Sequence, residues 1–169
     1  MSSRHVTFKG TPLALAGEWP VIGVAAPAFT VLANDLSPVT QTVLPGKVTV
    51  MLSVPSLDTP VCDTEVRRFN QEAAALGPHV QILCISADLP FAQARWCGAA
   101  GIKAVRTLSD HREVSFGRAY GVLIPDWRLL ARALFVTDTA GVLRYAQLVP
   151  EIVQEPDYAA ALAAVKQLA

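Results

Sequence analysis

Apolar residues in this chain gather in short runs, and their spacing alternates between strand-like and helix-like. Residues 47–54 and Val80–Ser86 are mostly apolar and rich in β-branched side chains, which is typical of central strands covered on both faces. Between these runs, Pro60–Leu76 has the features of a helix, with Thr59 as its cap, a proline in its first turn and a Gly-Pro pair after its end. The sequence therefore predicts a strand-helix-strand unit here.

The flanking segments supply the remaining elements. At the N-terminus, strands at His5–Phe8 and 13–16 are predicted around a turn at 10–12. A Pro- and Gly-rich surface segment with a short strand at 29–32 follows. After the central unit, the predicted elements are a helix at 91–100, a strand at 105–108, a helix at 113–120, a hairpin of Ala133–Thr137 and Leu143–Leu148, and a helix at Tyr158–Leu168.

This alternation of strands and helices indicates an α/β fold with a central mixed sheet flanked by helices. A thioredoxin-like arrangement is a natural solution, although periodicity alone does not single it out. At 169 residues, the chain has the length of one domain, since domains usually run to roughly 100–200 residues. We therefore expect a single domain over residues 1–169.

Composition and charge exclude several classes of protein. The chain is 52% hydrophobic and 17% charged, and 14 basic residues balance 14 acidic ones. No broad basic field is present, which argues against a nucleic-acid or anionic-membrane partner. The sequence lacks the roughly 18 consecutive apolar residues of a membrane span, and its first residues do not resemble a signal peptide. We therefore expect a cytoplasmic protein, in which three cysteines are reactive or buried rather than joined in structural disulfides.

The candidate chemistry lies in residues 55–62, Pro-Ser-Leu-Asp-Thr-Pro-Val-Cys, where a buried strand gives way to a helix. Cys62 falls in the first helical turn, where free backbone N–H groups and the helix dipole favour a thiolate. Thr59 can place its hydroxyl near that sulfur, and Pro55 can shield the site. Each has a structural alternative: a small buried hydrophobe, a helix cap and a strand terminator, respectively. Their combination favours function.

The same eight residues match the PxxxTxxC signature of the peroxiredoxins. The longer form, PSLDTPVC, resembles the thiol peroxidase subfamily, the atypical two-cysteine peroxiredoxins. The stretches that also agree in order and spacing are residues 62–73, 85–102, 116–124 and 129–138. Residues 6–17 resemble the extra N-terminal β-hairpin of that subfamily. The resemblance covers essentially the whole chain and implies a thioredoxin-like fold with this hairpin added.

The resemblance also implies roles for individual residues. They are the peroxidatic cysteine Cys62, the resolving cysteine Cys97, the active-site threonine Thr59 and the active-site proline Pro55. The family's arginine maps to Arg132, whose permanent charge would stabilise a thiolate and the charge developing on a peroxide. Without the resemblance, Arg132 is better explained as a strand residue paired with solvent or a carboxylate. Arg128 is the second choice for the role.

The implied activity is reduction of hydrogen peroxide and of alkyl or lipid hydroperoxides, with thioredoxin as electron donor, a homodimer as the working form and no cofactor. Cys62 and Cys97 are 35 positions apart and lie on two different predicted helices. A disulfide needs Cα atoms within about 4.4–6.8 Å of each other, and we expect two helices on a sheet to hold these thiols farther apart. Local unwinding around one or both cysteines is therefore expected in each cycle.

The other candidate residues have structural explanations. Cys84 lies in an apolar strand and is expected to be a packed, inert thiol. His5, His79 and His111 are scattered, and the sequence has no CxxC or HxxxH spacing, which argues against a zinc site. No glycine-rich phosphate loop occurs either.

The chain departs from the subfamily at three places. Trp96 stands where phenylalanine is usual, Ala100 stands where an acidic residue is common, and residues 126–128 fill a loop that varies. Two other functions remain open. A thiol–disulfide oxidoreductase is disfavoured by the missing CxxC. A redox-sensing binding module would change its partner affinity when Cys62 and Cys97 become oxidised.

Overall fold

The computed structural model describes residues 4–169 and has a mixed seven-stranded sheet at its centre. In chain order the strands are β1 His5–Phe8, β2 Thr11–Ala14, β3 Thr30–Leu32, β4 Pro38–Thr40, β5 Val48–Ser53, β6 Val80–Ser86, β7 Val105–Ser109, β8 Leu123–Ile124, β9 Leu129–Leu130, β10 Ala133–Thr137 and β11 Leu143–Leu148. The helices are α1 Pro60–Leu76, α2 Pro90–Ala100, α3 Ser115–Ala119 and α4 Tyr158–Leu168, and a short 3₁₀ helix spans Gln41–Val43.

The strand order in the large sheet is β11-β10-β5-β6-β7-β3-β4. Strands β5, β6 and β7 are parallel, and β10, β11, β3 and β4 run antiparallel to their neighbours. Helix α1 connects β5 to β6 and helix α2 connects β6 to β7, as parallel neighbours require a crossover connection. The prediction of a central mixed sheet flanked by helices is confirmed.

The core has two layers because successive strand residues point to opposite faces of the sheet. Val50 and Leu52 of β5 pack in the layer formed with α1, α2 and α4, and Cys62 belongs to this layer. Met51 lies in the opposite layer with Phe116 of α3 and side chains of the N-terminal hairpin. Helices therefore cover both faces, and the candidate nucleophile is inside the layer that holds three of them.

The N-terminal hairpin has a different register from the predicted one. Phe8 pairs with Thr11, so the turn consists of Lys9 and Gly10, both with positive φ (50° and 81°). Two positive φ values at the centre of a two-residue turn match the twist of the flanking strands. The prediction of a turn at 10–12 is wrong because Pro12 lies in an edge strand, where its missing N–H leaves no ladder bond unmade.

Several element bounds also differ from the predictions. The strand-helix-strand unit β5-α1-β6, both strands of the β10–β11 hairpin and helix α4 have the predicted bounds to within one residue. The helix predicted at 113–120 is shorter, at Ser115–Ala119, and β4, β8 and β9 were not predicted. Strands of two or three residues are too short to show an alternating pattern, which explains the omissions. Among the helices of residues 4–169, none is long and apolar enough to cross a membrane.

Candidate active site

Cys62 lies in the first turn of α1, immediately beyond the loop that follows β5. Pro60 occupies the start of the helix and has no N–H, and Asp63 N–H donates to the Thr59 carbonyl. The N–H groups of Val61 and Cys62 have no backbone acceptor in the described part of the chain. The Cys62 side chain is fully buried beside these N–H groups. They and the positive end of the helix dipole favour negative charge at this end of α1.

Thr59 occupies the N-cap position of α1, but its side chain makes no capping hydrogen bond within the helix. Its hydroxyl lies 2.7 Å from Cys62 Sγ and 2.8 Å from the carbonyl oxygen of Ser56. Thr59 is thus the N-cap residue, as predicted, and its hydroxyl lies near the sulfur instead of accepting a backbone N–H of α1. A hydroxyl has one proton, so Thr59 can donate to the sulfur or to the carbonyl by rotating about one bond.

Arg132 reaches the same sulfur from a position that directly precedes β10. Its Nη2 lies 3.4 Å from Cys62 Sγ and 3.0 Å from the carbonyl oxygen of Ile152, and its Nε donates to that carbonyl at 3.1 Å. Its Nη1 donates to Glu65 Oε2 at 2.6 Å. Three hydrogen bonds to two partners, the Ile152 carbonyl and the Glu65 carboxylate, thus hold a buried guanidinium against the sulfur. Arg128 instead donates to the exposed Arg112 carbonyl at 3.0 Å and is not part of this arrangement.

Glu65 is fully buried one turn after Cys62, on the same face of α1. Its Oε2 accepts from Arg132, whereas its Oε1 has no hydrogen-bond partner among residues 4–169. Burial raises the pKa of Glu65 to about 7 from its ordinary value of 4.5, against the lowering effect of the adjacent guanidinium. Glu65 therefore fixes Arg132 in place and is itself poised to change charge near neutral pH.

A pocket of about 370 Å³ opens above these groups. Pro55, Thr59 and Arg132 line it, and the last two also contact the Cys62 sulfur. The rest of its wall is mostly apolar. The other lining residues are Phe8, Pro60, Val61, Trp127, Leu129, Ile152 and Val153. The rings of Phe8 and Trp127 meet edge to face with centroids 5.3 Å apart. The pocket can therefore take a small molecule with an apolar body and place its polar end at Thr59 and Arg132, the two lining residues that contact the Cys62 sulfur.

The N-terminal hairpin closes one side of this pocket. Besides Phe8, it contributes a set of hydrogen bonds to the carboxylate of Glu151, from the Thr7 hydroxyl and the N–H groups of Lys9 and Gly10. Thr7 O also accepts from Ile152 N–H at 2.9 Å. Since the carbonyl of Ile152 orients Arg132, the hairpin supports the guanidinium as well as the pocket wall.

Cys97 lies in the last turn of α2, half-buried, with its sulfur 3.5 Å from the Thr107 hydroxyl. Its carbonyl accepts from Ile102 N–H where Gly101 ends the helix in the left-handed conformation. Cys62, Cys84 and Cys97 are all free thiols. Cys62 and Cys97 thus contact different partners, and the local unwinding expected from the sequence stays a prediction.

Comparison with known proteins decides the family. The Redoxin family model matches residues 22–162. The chain belongs to the redoxin family. It is 53% identical over 161 residues to a thiol peroxidase of Halalkalibacterium halodurans, covering 95% of this chain and 96% of that protein. It is also 53% identical to a thiol peroxidase of Bacillus subtilis, covering 97% and 98%.

Solved structures agree with this assignment. A peroxiredoxin-like protein from Aquifex aeolicus superposes with a TM-score of 0.90 at 40% identity, covering 99% of this chain and 98% of that one. A thiol peroxidase from Chromobacterium violaceum, 21% identical with a TM-score of 0.86, shares the fold. This redoxin is a thiol-dependent peroxidase with the thioredoxin-like fold, and its substrate is a peroxide. The predicted family, fold class and enzyme class are confirmed.

Two residues of the redoxin site, Glu65 and Asp88, are not among those predicted from the sequence. Glu65 was detectable, because it is an acidic residue on the buried face of α1 with Cys62, Val66 and Phe69. Asp88 gave no such signal. It accepts from Ser56 Oγ at 2.7 Å and Leu57 N–H at 2.9 Å, and so ties the loop before Cys62 to the end of β6.

Cys84 of the redoxin lies in the core of β6. Burial raises the pKa of its thiol well above the ordinary value, so it stays in the neutral, poorly nucleophilic form. Among the described residues, no group of three or more histidine, cysteine, aspartate or glutamate side chains could hold a metal ion.

Proposed function

We propose that Cys62 is the peroxidatic cysteine and that it reduces hydrogen peroxide and, with greater efficiency, alkyl hydroperoxides. One observation carries the proposal: Cys62 Sγ lies 2.7 Å from the Thr59 hydroxyl and 3.4 Å from Arg132 Nη2, and both of these residues line a largely apolar pocket. The apolar wall favours a substrate with a hydrocarbon body, and the polar base favours its hydroperoxide group.

In the first step, the Cys62 thiolate attacks the terminal oxygen of the hydroperoxide. The S–O bond forms as the O–O bond breaks, and the leaving oxygen departs as an alcohol or water after taking up a proton. The Thr59 hydroxyl and the Arg132 guanidinium stabilise the charge that moves onto oxygen, and Pro55 helps exclude water. Because both donors lie beside the sulfur before substrate arrives, rotation of the Thr59 hydroxyl is the only adjustment that they need during the reaction.

In the second step, the Cys97 thiol attacks the sulfenic acid of Cys62. The S–S bond forms, the S–O bond breaks and water leaves. The two cysteines lie in helical turns with separate partners, so local unwinding precedes this bond. A dithiol protein, for which we propose thioredoxin, then returns two electrons and two protons by thiol–disulfide exchange.

We further propose that the protein works in the cytoplasm as a homodimer. Three free cysteines suit a compartment that keeps thiols reduced. A net charge of zero leaves little repulsion between copies, and Leu89 and Phe91, 53% and 65% exposed, offer apolar surface for association. Sedimentation equilibrium over a range of concentrations tests the dimer.

Peroxide consumption coupled to thioredoxin tests the two cysteine roles. Cys62→Ser is expected to abolish consumption. Cys97→Ser is expected to consume one equivalent and then stop, and Cys84→Ala, the matched control, to cycle normally. Normal cycling by Cys97→Ser would show that another thiol resolves the sulfenic acid. Strong insulin reduction without multiple turnovers of peroxide would favour a thiol–disulfide oxidoreductase, and a single slow oxidation would favour a redox sensor.

A further inference from the structure

The residues next to the two reactive cysteines are joined to each other. Asp63 follows Cys62 in α1 and Trp96 precedes Cys97 in α2. The indole Nε1–H of Trp96 donates to Asp63 Oδ1 at 3.0 Å. This hydrogen bond crosses between the two helices at the positions whose backbones must move for the cysteines to meet.

Arg67 completes the contact. Its Nε donates to Asp63 Oδ2 at 2.8 Å, its Nη1 donates to the carbonyl oxygen of Ala100 at 3.3 Å, and its guanidinium lies 5.9 Å from the centre of the Trp96 ring. We call Asp63, Arg67 and Trp96 the α1–α2 bridge. It connects the first two turns of α1 to the last turn of α2.

The α1–α2 bridge opposes disulfide formation for a geometric reason. Cys62 Sγ contacts Thr59 and Arg132, and Cys97 Sγ contacts Thr107 on β7. Bonding them requires the start of α1, the end of α2 or both to unwind. Unwinding the start of α1 displaces Asp63, and unwinding the end of α2 displaces Trp96. Either motion breaks the Trp96–Asp63 hydrogen bond.

Beyond the α1–α2 bridge, the middle of α1 is held by contacts that do not involve the bridge residues. Asn70 Oδ1 accepts from the N–H groups of Lys103 and Ala104, which follow α2, at 3.1 and 2.9 Å. Phe69 is fully buried in the core. These contacts hold the middle of α1 while its first turns move, so the bridge restrains the segments that carry the cysteines rather than the domain as a whole.

We propose that Asp63, Arg67 and Trp96 are positioning residues that set the rate at which Cys97 resolves the Cys62 sulfenic acid, without taking part in the attack on peroxide. The inference rests on the proposed resolving role of Cys97. A slower second step lengthens the life of the sulfenic acid. A second hydroperoxide then transfers an oxygen to it, giving sulfinic acid and an alcohol, and the enzyme is inactivated. The bridge thereby makes the enzyme sensitive to excess peroxide.

The Trp96 bond is the part to remove first. The Asp63 and Arg67 side chains are 34% and 46% exposed, so water and salt weaken their ion pair. Trp96→Phe keeps a six-membered aromatic ring and deletes the N–H donor together with the five-membered ring that carries it. Loss of one hydrogen bond to a charged group at a partly exposed site is expected to raise the rate of disulfide formation about three- to tenfold.

Single-turnover rapid quench with one equivalent of cumene hydroperoxide measures both steps. Dimedone traps the sulfenic acid, and peptide mass spectrometry quantifies the Cys62–Cys97 disulfide. Trp96→Phe is expected to form the sulfenic acid at the wild-type rate and the disulfide faster. At high peroxide it is expected to yield less sulfinic acid. A general loss of stability would not accelerate one step alone.

A second pair of variants on α1 makes the test independent of the Trp96 substitution. Arg67→Gln removes the ion pair and the Ala100 contact and is expected to accelerate disulfide formation. Arg68→Gln is its matched control, because the Arg68 guanidinium lies 4.3 Å from the ring centre of Tyr158 and makes none of the bridge contacts. Arg68→Gln is expected to resolve at the wild-type rate.

Two results would overturn the proposal. If Trp96→Phe and Arg67→Gln form the disulfide no faster than wild type and Arg68→Gln, the bridge does not control resolution, and the role of Cys97 is unaffected. If the wild-type protein forms no Cys62–Cys97 disulfide, both the bridge and the resolving role of Cys97 are wrong.

Discussion

The Thr59 hydroxyl lies 2.7 Å from the Cys62 sulfur instead of accepting a backbone N–H of α1, the helix whose first turn contains Cys62. A side chain at an N-cap position usually stabilises the helix by accepting a backbone N–H. Here that stabilisation is absent within α1, and the hydroxyl faces the candidate nucleophile. The position is therefore better explained by chemistry than by helix stability.

Thr59→Val tests this explanation because it keeps the branched shape and removes the hydroxyl. The second-order rate constant for hydroperoxide is expected to fall about 10²- to 10³-fold, the usual effect of removing one donor to developing negative charge. The free energy of unfolding is expected to change by less than about 1 kcal/mol, since no cap is lost. Thr59→Ser, which keeps the hydroxyl, serves as the control. A rate within twofold of wild type in Thr59→Val would contradict the assignment.

Glu65 predicts a specific pH dependence of stability. Burial raises the pKa of Glu65 from its ordinary value of 4.5 to about 7 in the folded protein. The folded state therefore binds this proton more tightly than the unfolded state does. The stabilising contribution of the protonated form is complete below about pH 4.5 and is lost as the pH rises to about 7.

Urea unfolding of wild type and Glu65→Gln at pH 5 and pH 8 measures this contribution. Glutamine keeps an oxygen that can accept from Arg132 and does not titrate. Wild type is expected to lose more stability than Glu65→Gln between the two pH values, and groups common to both proteins cancel. An equal loss in the two proteins would show that Glu65 is ionised throughout this range.

The loop-to-helix junction was the part of the site most accessible from sequence. Pro55, Thr59 and Cys62 lie within eight residues, and a strand followed by a helix places them together regardless of the rest of the fold. Arg132 lies 70 positions beyond Cys62, and only the resemblance assigned it to the site. Its placement depends on the pairing of β10 with β5, which no local pattern encodes.

The residues that orient the site were harder to predict for the same reason. Asp88 acts through a hydrogen bond to a loop 31 residues earlier in the chain, and Ile152 acts through its carbonyl, which any residue possesses. The hairpin register was missed because Lys9 supplies a positive φ that lysine rarely adopts. Local propensity thus predicted most of the elements and the position of the candidate nucleophile at the start of α1, and tertiary contacts determined which groups surround it.

The Trp127 ring predicts substrate selectivity. Together with Phe8 it forms an aromatic part of the pocket wall, where it can contact the body of a bulky hydroperoxide but not a molecule as small as hydrogen peroxide. Trp127→Ala is expected to lower kcat/KM for cumene hydroperoxide about tenfold through lost apolar contact. Hydrogen peroxide, measured with the same variant, is the internal control and is expected to react at the wild-type rate. Equal losses with both substrates would indicate damage to the site instead.

Asp88 predicts that the loop before Cys62 must be held for the first step to be fast. Ser56 and Ser86 each donate to Asp88 at 2.7 Å, but only Ser56 belongs to the loop. Ser56→Ala is therefore expected to slow sulfenic acid formation severalfold, and Ser86→Ala, its matched control, to leave that rate near wild type. Asp88→Ala, which also releases Leu57 N–H, is expected to slow it about tenfold or more, because small displacements of reacting groups reduce rates strongly. Stopped-flow measurement with excess peroxide follows this step directly. If Ser56→Ala and Ser86→Ala slow it equally, Asp88 acts through the end of β6 and not through the loop.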